Sequence, residues 1–183
     1  MSPQTRLTAL VLALGVAACD APDTVSAEQC QGGDWTSIGF ADGKAGRSEG
    51  YMSRHREACA KLGIVPDTQA WLAGRERGLK SYCTPQNAYD VGRKGNELNT
   101  VCTGPSVTQL NRANARGIKY YAIGREISKL RTRSNDIDTK LLFLGTPQTA
   151  EQEREQRELR REQNRVKSEI SRLELERIDY SVP

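Results

Sequence analysis

Cys30, Cys59, Cys83 and Cys102 stand in one stretch of the chain, and the way they pair decides which segments can lie side by side. An even set of thiols in one short segment implies two disulfides if the chain is exported, and four cysteines allow three connectivities. Helix start and stop signals narrow the choice. Asp34 opens a first helix as its N-cap, running through Trp35, Ile38, Phe40 and Ala41 toward Gly46. A second runs from about Tyr51 to Lys61 and stops at Gly63. Pro66-Asp67 opens a third, carrying Trp71, Leu72, Arg75 and Leu79. Thr84-Pro85 opens a fourth, a cap followed by proline at the first helical position, which ends near Gly95. In a hairpin of antiparallel neighbours Cys30 lies beside Cys59, whereas Cys83 sits at the opposite end of the bundle. A three-turn helix is about 16 Å long, and a disulfide needs α-carbons within about 7 Å. The expected pairs are therefore Cys30 with Cys59 and Cys83 with Cys102. Zinc is the competitor, but there is no CxxC pair and His55 is the only histidine, so neither a metal nor a cofactor is expected.

The fifth cysteine, Cys19, closes an apolar, charge-free run from Leu7 to Ala18 that follows Arg6. At about 12 residues the run is too short to cross a bilayer, which needs about 20, and it reads as the apolar region of a removable signal peptide. Val16-Ala17-Ala18-Cys19 resembles the lipobox of bacterial lipoproteins, which implies cleavage between Ala18 and Cys19 and lipid attachment at Cys19. An ordinary secretory peptide with an accidental thiol is the competing reading. Asp20 resembles the signal that retains lipoproteins in the inner membrane of enteric-type bacteria. The expected address is the cell envelope, facing the periplasm, with the membrane as a partner through the lipid.

Hydrophobic residues make up 37% of the chain and aromatics 5%, a thin supply that fits one compact domain plus an extended element. Lys and Arg number 27 against 23 Asp and Glu, and this mild, dispersed excess does not argue for nucleic acid. The expected layout is a signal peptide over 1–18, a flexible tether over 19–29, a disulfide-stapled helical domain over 30–104, a coiled-coil hairpin over 105–178 and a tail over 179–183.

A weak repeat places an aromatic three residues before a glycine: Phe40 and Gly43, Trp71 and Gly74, Tyr89 and Gly92, Tyr121 and Gly124. On a helix such positions share a face, so glycine admits a neighbouring helix while the ring fills the space beside it. Gly39 with Gly43, and Gly74 with Gly78, extend that groove. The sharper reading makes the Gly-Arg pairs an anion cradle, or the rings a sugar-stacking platform. Asp34-Trp35-x-x-Ile38-Gly39-x-x-Asp42-Gly43, His55-x-x-x-Cys59-Ala60, the run from Leu72 through Gly78-Leu79 to Tyr82-Cys83-Thr84-Pro85-x-Asn87, and Val91-Gly92-Arg93-x-Gly95 resemble a family of small, uncharacterised proteobacterial lipoproteins. That family is known as a domain of unknown function with a signal peptide, a cysteine-bearing region and a helical C-terminal tail. The resemblance implies an envelope address and no activity.

After Gly104-Pro105, Tyr120, Ile123, Ile127, Leu130, Ser134, Ile137, Leu141 and Leu144 recur in steps of three and four, a coiled-coil seam. Gly145-Thr146-Pro147 breaks it, and Leu159, Val166, Ile170 and Leu173 carry a second seam. Folding back at Gly145 is expected to bring Ile127 near Val166, Ile123 near Ile170 and Tyr120 near Leu173. Helix propensity drops at Ser134-Asn135-Asp136, the weak point of the first arm. The same seam can pair between chains, which leaves a dimer open. The expected fold class is thus mainly α: a small disulfide-stapled domain followed by a long two-helix antiparallel coiled-coil hairpin.

A catalytic inventory is poor, with a lone His55 and no Gly-x-Ser-x-Gly elbow. The expectation is a non-enzymatic envelope lipoprotein whose arm contacts an envelope protein or cell-wall component. The alternative is a cell-wall glycan binder or hydrolase, with Trp35, Asp42, Trp71, Arg75, Tyr82 and Tyr89 as candidate ligand-binding residues.

Overall fold

A computed structural model describes residues 24–183. Ala18, Cys19 and the rest of the expected signal peptide and lipidation site lie outside the described residues. The described residues are 74% helical, with no strand among them. The helices are α1 (Ala27–Gly32), α2 (Trp35–Lys44), α3 (Met52–Ala60), α4 (Thr68–Tyr82), α5 (Pro85–Gly92), α6 (Val107–Leu144) and α7 (Ala150–Asp179), with a 3-10 turn at Glu49–Tyr51. Both expected disulfides are present, Cys30–Cys59 and Cys83–Cys102, each with α-carbons 5.6 Å apart.

Helix starts follow side-chain chemistry. Asp34, Asp67, Thr84 and Thr149 each accept a hydrogen bond from the backbone N–H three residues on, worth about 1 kcal/mol per cap. Residues 27–29, expected to belong to the tether, instead open α1. The reason is a capping box: Gln29 N–H donates to Ser26 Oγ at 3.2 Å, and Ser26 N–H donates to Gln29 Oε1 at 2.8 Å.

Two compact units form. The smaller comprises α1 with residues 53–66, buries Val25, Cys30, His55 and Cys59, and is stapled by Cys30–Cys59. His55 packs inside it, with Nδ1 hydrogen-bonded to Thr24 Oγ1 at 3.1 Å.

The larger unit comprises residues 34–52 and 67–183, and its core is two helix pairs that cross backbone to backbone. In the first, α2 lies on α4, and neither helix has room for side chains at the crossing. A Cβ on Gly39 would lie 2.8 Å from the Trp71 carbonyl carbon, and one on Gly43 would lie 2.8 Å from that of Arg75. Gly74 meets the Thr36 carbonyl group, and Gly78 that of Phe40. In the second pair, α5 lies on α6, with Gly92 against the carbonyl of Asn114 and Gly117 against that of Tyr89.

The pairs are two versions of one device. Gly43 and Gly92 correspond, as do Gly78 and Gly117, and the turns beyond correspond too: the Tyr82 ring covers Gly46, and the Tyr121 ring covers Gly95. Gly46 and Gly95 both have positive φ, 69° and 81°, which a side chain would strain. Arg-Gly-Leu-Lys-Ser-Tyr at 77–82 is the partner of Arg-Gly-Ile-Lys-Tyr-Tyr at 116–121. The expected repeat therefore holds for Phe40/Gly43 with Tyr89/Gly92. The counterpart of buried Trp71 is buried Leu110 rather than Tyr121.

This pairing corrects the boundary expected at residue 104. The first turns of α6 bury Leu110 and Ala113 against Ala88 and Tyr89, so the long helix starts inside the unit instead of after it.

Farther along, α7 folds back on α6 of the same chain, burying Ile123, Ile127 and Leu173 together with Leu130, Ile170 and Tyr180. The register differs from expectation. Tyr120, expected opposite Leu173, lies under the Arg177 guanidinium, 3.9 Å from the ring centroid, one turn further along α7. Seams that repeat every heptad fit at several offsets, and at the observed one the Arg177 head group lies against Gly124. Nor does α6 break at Ser134-Asn135-Asp136. Ser134 and Ile137 are buried and Asp138 accepts a hydrogen bond from Gln163, so packing on α7 overrides local propensity.

Candidate functional site

The six candidate ligand-binding residues fall into separate settings. Trp71 is fully buried, and its Nε1 donates to Asp42 Oδ2 at 2.8 Å, tying α4 to α2. Tyr82 is buried, and its hydroxyl accepts from Asn99 N–H at 3.0 Å. Tyr89, in the second pair, donates its hydroxyl to the Tyr180 carbonyl at 2.7 Å, holding the end of α7. Trp35 is buried as well. All four rings are consumed by packing, so the cleft expected from Trp35, Trp71, Tyr82 and Tyr89 offers no open stacking platform. Close helix crossings leave voids on either side of the glycines, and large rings fill them.

Arg75 stands apart from this group. It is 7% exposed, its Nε donates to the Arg47 carbonyl at 2.7 Å, and its Nη1 lies 3.4 Å from Glu49 Oε1. The first bond is short, whereas the second is long for a charge-assisted pair, and the Glu49 side chain is 74% exposed. Both residues line an open groove of about 470 Å³, walled by Leu72, Leu79 and Val101 and edged by Gln69, Glu76 and Thr103. The Cys83–Cys102 disulfide fixes the neighbouring 101–103 segment to the end of α4.

The counterpart of Arg75 in the second pair is Asn114. It is equally buried, donates through Nδ2 to the carbonyls of Ala88 (2.9 Å) and Asn96 (3.1 Å), and accepts from Leu98 N–H at 3.2 Å. Arg47 and Asn96, the two gripped carbonyls, each follow a positive-φ glycine. Asn114 is thus spent on structure. Arg75 performs the same task with Nε and keeps its fork beyond it.

Sequence reasoning singled out Arg75 but missed Glu49, Asn114 and the 101–103 wall. The Arg-Gly-x-Lys-x-Tyr match between α4 and α6 was the signal that leads to Asn114. The wall carries none, because the disulfide brings it there from another part of the chain.

A tighter cationic cluster lies at the end of α7. The guanidinium of Arg93 (4.6 Å to the centroid) and that of Arg177 both lie over the ring of Tyr120, and Arg116 donates to the carbonyls of Asp179 and Val182. Arg116 thereby sets a cation at the C-terminal end of α7, as the helix dipole favours. On the hairpin, Arg131 and Arg133 of α6 pair with Glu174 and Glu162 of α7, and Lys119 with Glu176. Among the described residues no cluster of three His, Cys, Asp or Glu could hold a metal ion.

Residues 34–119 match the family described as "Protein of unknown function (DUF2799)". The match begins at the cap of α2 and ends just past Gly117, spanning both helix crossings. No curated protein and no solved structure matches the chain.

Proposed function

We propose that a chain built around this domain is a bacterial envelope lipoprotein of the inner membrane, anchored by lipid on Cys19 and acting as a non-enzymatic interaction module. The observation that carries the reading is the state of the cysteines. Four of the five are joined in two disulfides, which favours an oxidising compartment, and the remaining thiol stands where a lipobox requires it. Among the described residues no helix is long and apolar enough to cross a membrane, which is consistent with an acyl anchor. Acyl chains contribute about 0.8 kcal/mol per buried methylene, so two or more hold firmly.

The contact element in this reading is the α6–α7 coiled-coil hairpin. At its turn Leu142 and Phe143 are 79% and 84% exposed, within a run free of charge from Leu141 to Ala150. Large apolar side chains held out at the turn of a rigid helix pair suit contact with an envelope protein or cell-wall component.

Metabolic labelling with an alkyne fatty acid tests the anchor. The wild-type chain takes up label and Cys19→Ala does not; equal labelling of both, or of neither, overturns the lipoprotein reading. Photo-crosslinkers at Leu142 and Phe143 in whole cells test the contact element, which is sunk if no envelope component is captured.

A further inference from the structure

We propose that the groove beside Arg75 is a binding site for a carboxylate-terminated ligand, and specifically for the free C-terminal end of a short peptide. The argument begins with the repeat. Two helix pairs share one construction, in which a buried polar side chain on the second helix grips the turn after a positive-φ glycine. Asn114 satisfies that need with every polar atom bonded. Arg75 meets the same need with Nε alone. An arginine is therefore larger and more costly to bury than the architecture demands. Among the described residues nothing accepts a hydrogen bond from its Nη2, and Nη1 has only a long contact with an exposed carboxylate.

The surroundings define the ligand. Glu49 shows that a carboxylate fits at the guanidinium fork, and its long contact and exposure let it yield to a better one. Arg forks favour carboxylates bidentately. Glu49 and Glu76 at the rim disfavour a dianion such as phosphate and suit a single negative charge. Leu72, Leu79 and Val101 form an apolar wall for a small side chain, while Gln69 and Thr103 offer partners to a backbone amide. Carboxylate, amide and small apolar side chain together describe a peptide C-terminus. The site lies wholly within the larger unit and does not depend on the anchor at Cys19.

The probes are acetyl-Ala-Ala with a free carboxylate, the same peptide as its C-terminal amide, and acetate. Binding is followed by NMR on the full-length protein without its signal peptide, observing the Arg75 side-chain Nε–H and the backbone amides of 72–79. The free-acid peptide shifts these signals saturably, and the amide binds at least about tenfold more weakly. Acetate competing as well as the peptide would reassign the site to small free carboxylates and overturn the peptide part of the proposal. Arg75→Asn, which installs the side chain used by the second pair, keeps the fold and abolishes binding. Glu49→Ala, at an exposed position, tightens binding at least about threefold by removing the internal competitor. Equal binding of acid and amide, no binding up to about 20 mM, or Glu49→Ala weakening it would each overturn the proposal.

Discussion

The indole of Trp71 and the carboxylate of Asp42 are joined by a 2.8 Å hydrogen bond across the α2–α4 crossing, with the indole fully buried. The bond lies one turn from the Gly43–Arg75 backbone contact, so it ties the two helices together at their crossing. Removing the acceptor leaves a buried N–H short of a partner, which costs about 1–3 kcal/mol. Asp42→Ala is expected to lose that much in urea denaturation, and Asp42→Asn less, because its amide oxygen still accepts. In Trp71→Phe the Asp42→Ala change should cost less than in the wild type; an undiminished cost would mean the bond contributes nothing.

Glycine at the crossings is required by space. Gly43→Ala and Gly78→Ala each drive a methyl into the partner's backbone, and overpacking of this kind costs about 1–3 kcal/mol or more. Gly32→Ala is the control, since nothing lies within 4 Å of a Cβ there and its φ is ordinary. Midpoints from chemical denaturation should fall for the first two and stay level for the third.

The two disulfides close loops of similar length, with separations of 29 and 19 residues. Loop-closure entropy then assigns each about 3 kcal/mol, differing by less than about 0.5 kcal/mol. The pair variants Cys30→Ser/Cys59→Ser and Cys83→Ser/Cys102→Ser should be destabilised nearly equally. Only the second should also weaken peptide binding at Arg75, because it frees the 101–103 wall.

Burial pushes the Tyr89 phenol above its ordinary value of 10.0, partly opposed by the Arg93 guanidinium. A folded-state value raised in this way gives a stabilising contribution that is complete below the unfolded value and is lost as pH rises through the folded one. Stability should therefore decline above about pH 10, with the end of α7 loosening first, because the Tyr89 hydroxyl donates to the Tyr180 carbonyl. Hydrogen exchange at 178–182 across that range checks this. Tyr89→Phe, which cannot ionise, should remove this residue's part of the decline.

Local chemistry was readable from the chain itself. Asp34, Asp67 and Thr84 cap helices because their side-chain oxygens reach the third N–H of the helix, whatever lies elsewhere in the fold. Those boundaries in turn placed Cys30 beside Cys59 and Cys83 beside Cys102, since a disulfide tolerates so little separation. The Ser26–Gln29 capping box was also local, and the polar composition around it hid it.

Relations between segments were not readable in the same way. A heptad seam states which face of α6 meets α7, but its periodicity accepts several offsets, and the observed one sets Arg177 over Tyr120. An aromatic three residues before a glycine reads alike at Trp71, Tyr89 and Tyr121, and only the crossings show that Trp71 answers to Leu110. Arg75 and Asn114 share no side-chain chemistry that marks them as counterparts. The sequence determined the helices, their caps and the pairing of the cysteines, because those depend on neighbours along the chain. Tertiary structure alone decided that one buried position spends all its polar atoms on the fold while its twin keeps a guanidinium fork at the edge of a groove. That difference depends on which carbonyls the packing brings within reach.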